Sequence, residues 1–222
     1  MNRRELLKQA ATAATVLVGA SAFAKVNECS SVLTPTQTKG PFYPVFTQVD
    51  TDADLVMMTG KAQQAAGKVV VIEGIVSDQL CNPVEGALVE IWQACESGRY
   101  NHPSDPNTAP LDPNFQYWGK AVTSVDGKYR FRTIIPGAYP ASDDWMRPPH
   151  IHFKVSRKGY RELITQMYFD GEPLNGSDLI LQDLPPQEQK EVVVLFVQQF
   201  TQPHPIGIFN IKVEKIVNRN QL

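Results

Sequence analysis

The chain has 222 residues, of which 42% are hydrophobic and 20% charged, and its formal net charge is −2. That length fills one good core without requiring a second full domain. The near balance of charge gives no electrostatic reason to expect nucleic acid or an anionic membrane as partner, and no internal repeat or low-complexity tract is visible.

Residues 1–24 have the build of an export signal. Arg3-Arg4 is followed by Glu5-Leu6-Leu7-Lys8, then by a mild apolar run from Ala10 to Ala20 that ends at Ala22-Phe23-Ala24. This is a charged start, a short apolar middle and a small-x-small cleavage site, and the paired arginines resemble a twin-arginine leader. The run is too short and too rich in Ala and Thr to anchor a membrane well. An exported, periplasmic protein with no stable membrane span is therefore expected, carried across already folded.

Residues 25–68 read as an irregular arm, and 69–222 as the main β domain. Within the arm, Leu33-Thr34-Pro35-Thr36-Gln37-Thr38-Lys39-Gly40-Pro41-Phe42-Tyr43-Pro44 is rich in Pro and Gly and predicts ordered coil. Val69 to Val76 is a β-branched run and Gly86 to Trp92 is another, with turn chemistry at Asn82-Pro83-Val84-Glu85-Gly86 between them. Residues 95–119 are polar and rich in Pro, Asn and Asp, and a loop that long is usually functional. Gly119 to Ser124, Asp126-Gly127 and Tyr129 to Thr133 predict strand, tight turn, strand. A second Pro/Gly/Asp-rich loop spans 136–149, and strands follow at 150–156 and 163–169. Residues 187–200, with their Val-Val-Val-Leu-Phe-Val run, are expected as strand, and Gly207 to Ile216 as the last one. Short strands, frequent turns and no long helical period predict a mainly β protein, a β-sandwich.

The three cysteines, Cys29, Cys81 and Cys95, lack the close spacing of a zinc site. An oxidising compartment permits one disulfide. If 70–78 and 87–94 form a hairpin, Cys81 sits by the turn and Cys95 at the far end, about 25 Å away at strand rise. Cys29 with one of the other two is what remains, and which one stays open.

Two of the four histidines fall in Arg147-Pro148-Pro149-His150-Ile151-His152-Phe153. On a strand, side chains two apart share a face. His150 and His152 then offer two nitrogen donors on a rigid element, while Ile151 and Phe153 pack behind them. Tyr100 in Gly98-Arg99-Tyr100 and Tyr139 in Pro136-Gly137-Ala138-Tyr139-Pro140 complete a candidate set. A phenolate is a hard anionic donor, and beside imidazole it favours a trivalent ion such as Fe(3+) over softer zinc. His102 is read as a solvent or pocket-rim residue and His204, between two prolines, as loop structure.

Several ordered blocks resemble the intradiol ring-cleavage dioxygenases, and within them most closely the protocatechuate 3,4-dioxygenase subunits. The blocks are Ser97-Gly98-Arg99-Tyr100-Asn101-His102, Ala109-Pro110-Leu111-Asp112-Pro113-Asn114-Phe115, Asp126-Gly127-Lys128-Tyr129-Arg130-Phe131-Arg132-Thr133-Ile134, Pro136 to Pro140, Arg147 to Phe153, and Leu163 to Phe169. The likeness runs from about Val69 to Leu174, with weaker support at 33–42. It implies a prealbumin-like β-sandwich with long active-site loops, and a non-haem Fe(3+) held by Tyr100, Tyr139, His150 and His152. It also implies cleavage of a catechol-type aromatic by O2 to a cis,cis-muconate-type diacid, with Tyr139 leaving the metal as substrate binds. Arg147 matches a family arginine beside the ring carbon that oxygen attacks, and Gln166 a glutamine that orients it.

Ala141 stands where the protocatechuate enzymes carry an aromatic pocket wall, and the stretch from Tyr139 to His150 is slightly shorter. There is no room for the N-terminal helical dimerisation segment of catechol 1,2-dioxygenases. Assembly with itself or with a homologous partner is left open, as is the ring substituent accepted. The competing expectations are a secreted sandwich that binds ferric iron or a catecholate without turnover, and a metal-free structural sandwich. Arg147 and Gln166 favour the enzyme, because storage needs neither.

Overall fold

The computed structural model describes residues 32–46 and 48–216. The expected export signal and Cys29 lie outside the described residues. All described residues belong to one compact unit, residues 31–222. It is mainly β, as the strand runs predict.

The organising strand is β1 (Val69–Asp78), whose first four residues are all buried. It pairs antiparallel with β4 (Lys128–Ile134), from Val69 opposite Ile134 to Ile75 opposite Lys128. Its other edge runs parallel first to β11 (Ile206–Ile208) and then to β12 (Ile211–Val213). With β10 (Phe196–Val197) beside β11, these make a five-stranded sheet. The second five-stranded sheet has the order β3 (Trp118–Val122), β2 (Leu88–Trp92), β7 (His150–Ser156), β8 (Leu163–Phe169), β9 (Val193–Val194). Ile72, Phe131, Ile91, Ile151, Phe153 and Phe209 are fully buried in one hydrophobic cluster drawn from both sheets. The arm adds Leu55, Val56 and Ala65 to that cluster, so the coil before β1 is part of the core.

Four expectations need correction. The runs at 70–78 and 87–94 are not a hairpin: β1 and β2 enter different sheets, the chain turning back along β1 only at Pro83 and Val84, beside Ser77 and Val76. The strand, tight turn and strand around Asp126-Gly127 are present as expected, with β3 and β4 in different sheets. Residues 136–149 are not all loop: β5 (Tyr139–Ser142) and β6 (Trp145–Arg147) form a two-stranded ribbon. The stretch 187–200 begins as helix α2 (Pro186–Val192), and only then gives β9 and β10. Pro186 at the helix start has no N–H to leave unpaired, and Glu188 in the first turn and Lys190 in the last suit the helix dipole. The last predicted strand, 207–216, is split at Phe209-Asn210 into β11 and β12.

Cys81 is disulfide-bonded and Cys95 is a free, buried thiol. The two are therefore not joined to each other, in line with the expectation although the hairpin behind it does not exist.

Candidate metal centre and pocket

The site begins with the alternation of β7. Ile151, Phe153 and Val155 face the core, and His150 and His152 face outward, each only 2% exposed. Their rings lie 5.0 Å apart, centroid to centroid. Neighbouring strands frame them: Trp92 of β2 sits opposite His152 and stacks on it at 4.8 Å, 9° from parallel, while Gln166 and Tyr168 of β8 sit opposite His152 and His150.

The two tyrosines arrive on separate segments. Tyr100 ends the Cys95–Tyr100 turn and brings its Oη to 3.4 Å from His150 Nε2. Tyr139 opens β5, its ring 5.6 Å from both Tyr100 and His150. Two glycines permit this approach. Gly98 has φ +81, and a Cβ there would collide with the Ala138 carbonyl; a Cβ on Gly137 would collide with the Glu96 carbonyl. The backbones that carry the two phenols thus touch, locked by the Gly137 amide donating to Cys95 O at 3.0 Å.

Arg147 lies opposite Tyr139 in the ribbon and is 4% exposed. Its Nε donates to Asp178 Oδ2 at 2.8 Å, and its Nη2 reaches Asp178 Oδ1 (3.1 Å), Gln166 Oε1 (3.0 Å) and Tyr168 Oη (3.2 Å). Nη1 remains, directed at His150 Nε2 at 3.3 Å. Burial alone would lower the Arg147 pKa, but Asp178 and Tyr168 hold it above its ordinary value. Asp178 also caps helix α1 (Leu179–Gln182) through the Leu181 amide, so one buried carboxylate fixes both the helix and the guanidinium. Gln166 is itself held: its amide donates to Gln37 Oε1 at 2.9 Å and its Nε2 to the Thr38 carbonyl at 3.1 Å.

All the sequence-designated residues, Tyr100, Tyr139, Arg147, His150, His152 and Gln166, therefore meet in one place. His102 does not join the donors. Its Nδ1 accepts the Ser104 amide, and its ring lies 5.8 Å from Phe42 at the rim. Sequence reasoning missed Asp178, Tyr168, Gln37 and Trp92. Tyr168 carried a signal, two residues after Gln166 on the same strand face. Asp178 carried only a helix-cap signal before Leu179, and Gln37 only its place in the 33–42 segment.

The electrostatics suit a cation. Burial, then Arg147 and its neighbour, push the His150 imidazole well below its usual pKa; burial and Arg147 bring His152 down to about 3. Both are neutral donors at neutral pH. The Pro148 carbonyl, 2.7 Å from His150 Nδ1, can only accept, so that nitrogen carries the proton and Nε2 presents its lone pair. His152 Nδ1 is buried with no partner. Burial raises both phenols, Tyr100 further because Tyr139 adjoins it, and Tyr139 less because Arg147 opposes the effect. Among the described residues no group of three or more His, Cys, Asp or Glu could hold a metal. A metal here would use phenol oxygens, and two phenolates with two imidazoles fit a hard trivalent ion. A cavity of about 400 Å³ opens beside these donors, bounded by Tyr139, Arg147 and His152 on one side and by Pro41, Phe42 and Trp145 among others. That is the size range of single small-molecule sites, about 300–1,000 Å³.

The chain is similar to known proteins over most of its length. A family profile described as "Dioxygenase" matches residues 38–204. The protocatechuate 3,4-dioxygenase beta chain of Burkholderia cepacia is 41% identical over 161 residues, covering 70% of this chain and 68% of that protein. Catechol 1,2-dioxygenase 1 of Acinetobacter lwoffii is 34% identical over 158 residues, covering 65% of this chain but only 49% of its own length. Among solved structures, the dioxygenase domain of a dioxygenase carbohydrate-binding protein fusion from Streptomyces sp. SirexAA-E superposes with TM-score 0.62 at 28% identity, over 83% of this chain and 100% of that domain.

Proposed function

This chain belongs to the intradiol ring-cleavage dioxygenase family, and from that premise we propose that it opens a catechol-type ring with O2 between the two hydroxylated carbons, giving a cis,cis-muconate-type diacid at a ferric ion held by Tyr100, Tyr139, His150 and His152. The observation that carries this reading is the convergence of two phenols and two neutral imidazoles, with no competing cluster of three or more His, Cys, Asp or Glu among the described residues. When bound, ferric iron supplies Lewis acidity that draws electron density from a catecholate ring. The remaining work belongs to the chain. His150 is fixed in one tautomer by Pro148, which leaves Nε2 as its donor nitrogen. Tyr139 borders the cavity, and its Oη, as a phenolate, would be the base that takes a catechol proton. Arg147, anchored by Asp178 and Gln166, presents a fixed positive charge toward the same space, preorganised to stabilise charge developing on the ring. Phe42 packs 4.8 Å from the Tyr100 ring and partly covers that flank.

The test is direct. Purified protein should show a visible phenolate-to-iron absorption band and consume one O2 per catechol, with both atoms of labelled oxygen recovered in the diacid. A coloured protein with no oxygen uptake would support iron binding without turnover instead.

Export through a twin-arginine leader at residues 1–24, with a periplasmic destination, is part of the same proposal. A disulfide at Cys81 supports it, because such bonds persist in oxidising compartments. No described helix is long and apolar enough to cross a membrane. Replacing Arg3-Arg4 by Lys-Lys should hold the protein in the cytoplasmic fraction; unchanged export would remove the twin-arginine reading.

A further inference from the structure

We propose that the cavity beside Tyr139 and His152 selects catechols whose ring substituent is uncharged, and discriminates against rings that carry a carboxylate. This rests on the ring-cleavage reading above and adds the charge of the substrate. Among the described residues lining the cavity, Arg147 is the only side chain with a positive charge at neutral pH. That charge is already matched: Asp178 takes both Nε and Nη2, and Nη1 is turned to His150. No lysine lines the space. A substrate carboxylate entering it therefore finds no cation beyond this already paired guanidinium to replace its water.

What it does find is mostly apolar surface, a few neutral donors and a like charge. Pro41, Phe42, Pro140, Ala141 and Ile180 cannot hydrogen-bond an anion through their side chains, and the Thr38 and Ser104 hydroxyls and the Trp145 indole N–H bring no charge to offset one. Asp105 also lines the cavity. Its two oxygens accept the backbone amides of Tyr100 (2.7 Å) and Asn107 (2.9 Å), which fix the carboxylate in place. Asp105 thus braces the turn carrying Tyr100 and sets a fixed negative charge at the pocket. Specificity is a difference of affinities, and an immobile like charge acts against one class of ligand without costing the other. An alkyl substituent gains from the same walls.

The experiment compares 4-methylcatechol with protocatechuate on the purified iron-loaded protein, titrated without oxygen. Binding is read from the visible band and independently by calorimetry. We expect 4-methylcatechol to bind at least about tenfold more tightly, about 1.4 kcal/mol. Asp105→Asn keeps one acceptor oxygen for the Tyr100 amide and should narrow the ratio several-fold. Ala141→Lys leaves that turn untouched, adds a cation to the wall, and should narrow or invert the ratio. Protocatechuate binding as tightly as 4-methylcatechol to the unaltered protein overturns the proposal. So does an unchanged ratio in both variants. Colourless protein that binds neither ligand overturns the ferric-catechol reading as well, whereas coloured protein that binds both equally overturns only the charge selection.

Discussion

Strands β4 and β7 have the same length and opposite uses. In β4, Tyr129 and Phe131 turn into the core while Lys128 and Arg130 stand in solvent, so one face is buried and one is wet. In β7 the first four residues are all buried, because the arm at 33–44 and the loops carrying Tyr100 and Tyr139 close over the outer face. The polar side chains that β4 gives to water, β7 gives to a covered cavity. The lesson concerns cover rather than strand composition. His-x-His on a wet face would be two surface imidazoles; under the arm they become neutral, oriented donors.

Substitutions on the two strands can break this contrast. The largest effect is expected from His152→Ala, which should abolish iron retention and oxygen uptake together, checked by metal analysis and an oxygen electrode. Iron held tightly by that variant would show that the donor set is wrong. Arg147→Ala comes next. It should keep the colour and the spectral change on adding catechol yet lower kcat by about 10²–10³-fold, the usual cost of one preorganised charge donor. It should also destabilise the fold by about 3–5 kcal/mol, because Asp178 is left buried without its partner. Full turnover would remove the electrostatic role assigned to Arg147. Gly98→Ala is smaller: strain at φ +81 should cost about 1–3 kcal/mol in a denaturant melt and weaken the visible band by shifting Tyr100 from Tyr139. Last is Arg130→Ala on β4, whose ion pair with Glu73 is largely exposed. It should change stability by no more than about 1 kcal/mol and leave turnover alone. A large loss there would end the distinction between the two strands.

Much of the site was legible in the chain. The two-residue spacing of His150 and His152 places both on one face wherever that segment is extended, and the composition of 95–119 and 136–149 already marked the loops bearing the tyrosines. The β-branched run at Val69 to Val76 foretold β1. The failures share a cause. Which sheet a strand joins, and whether 187–200 starts helical, depends on partners far along the sequence or on end effects such as Pro186. The support of Gln166 by Gln37 spans 129 positions, and no local pattern announces it.

Side-chain periodicity, turn chemistry and donor types are local properties, so the sequence by itself determined a β protein with a paired-imidazole strand and two tyrosine-bearing turns. Which outer face stays dry, which carboxylate holds Arg147, and which charges meet a ligand were decided only in the tertiary structure. Burial and pairing are properties of what covers a residue, and here the cover comes from remote parts of the chain: the arm over β7 and Asp178 beneath Arg147.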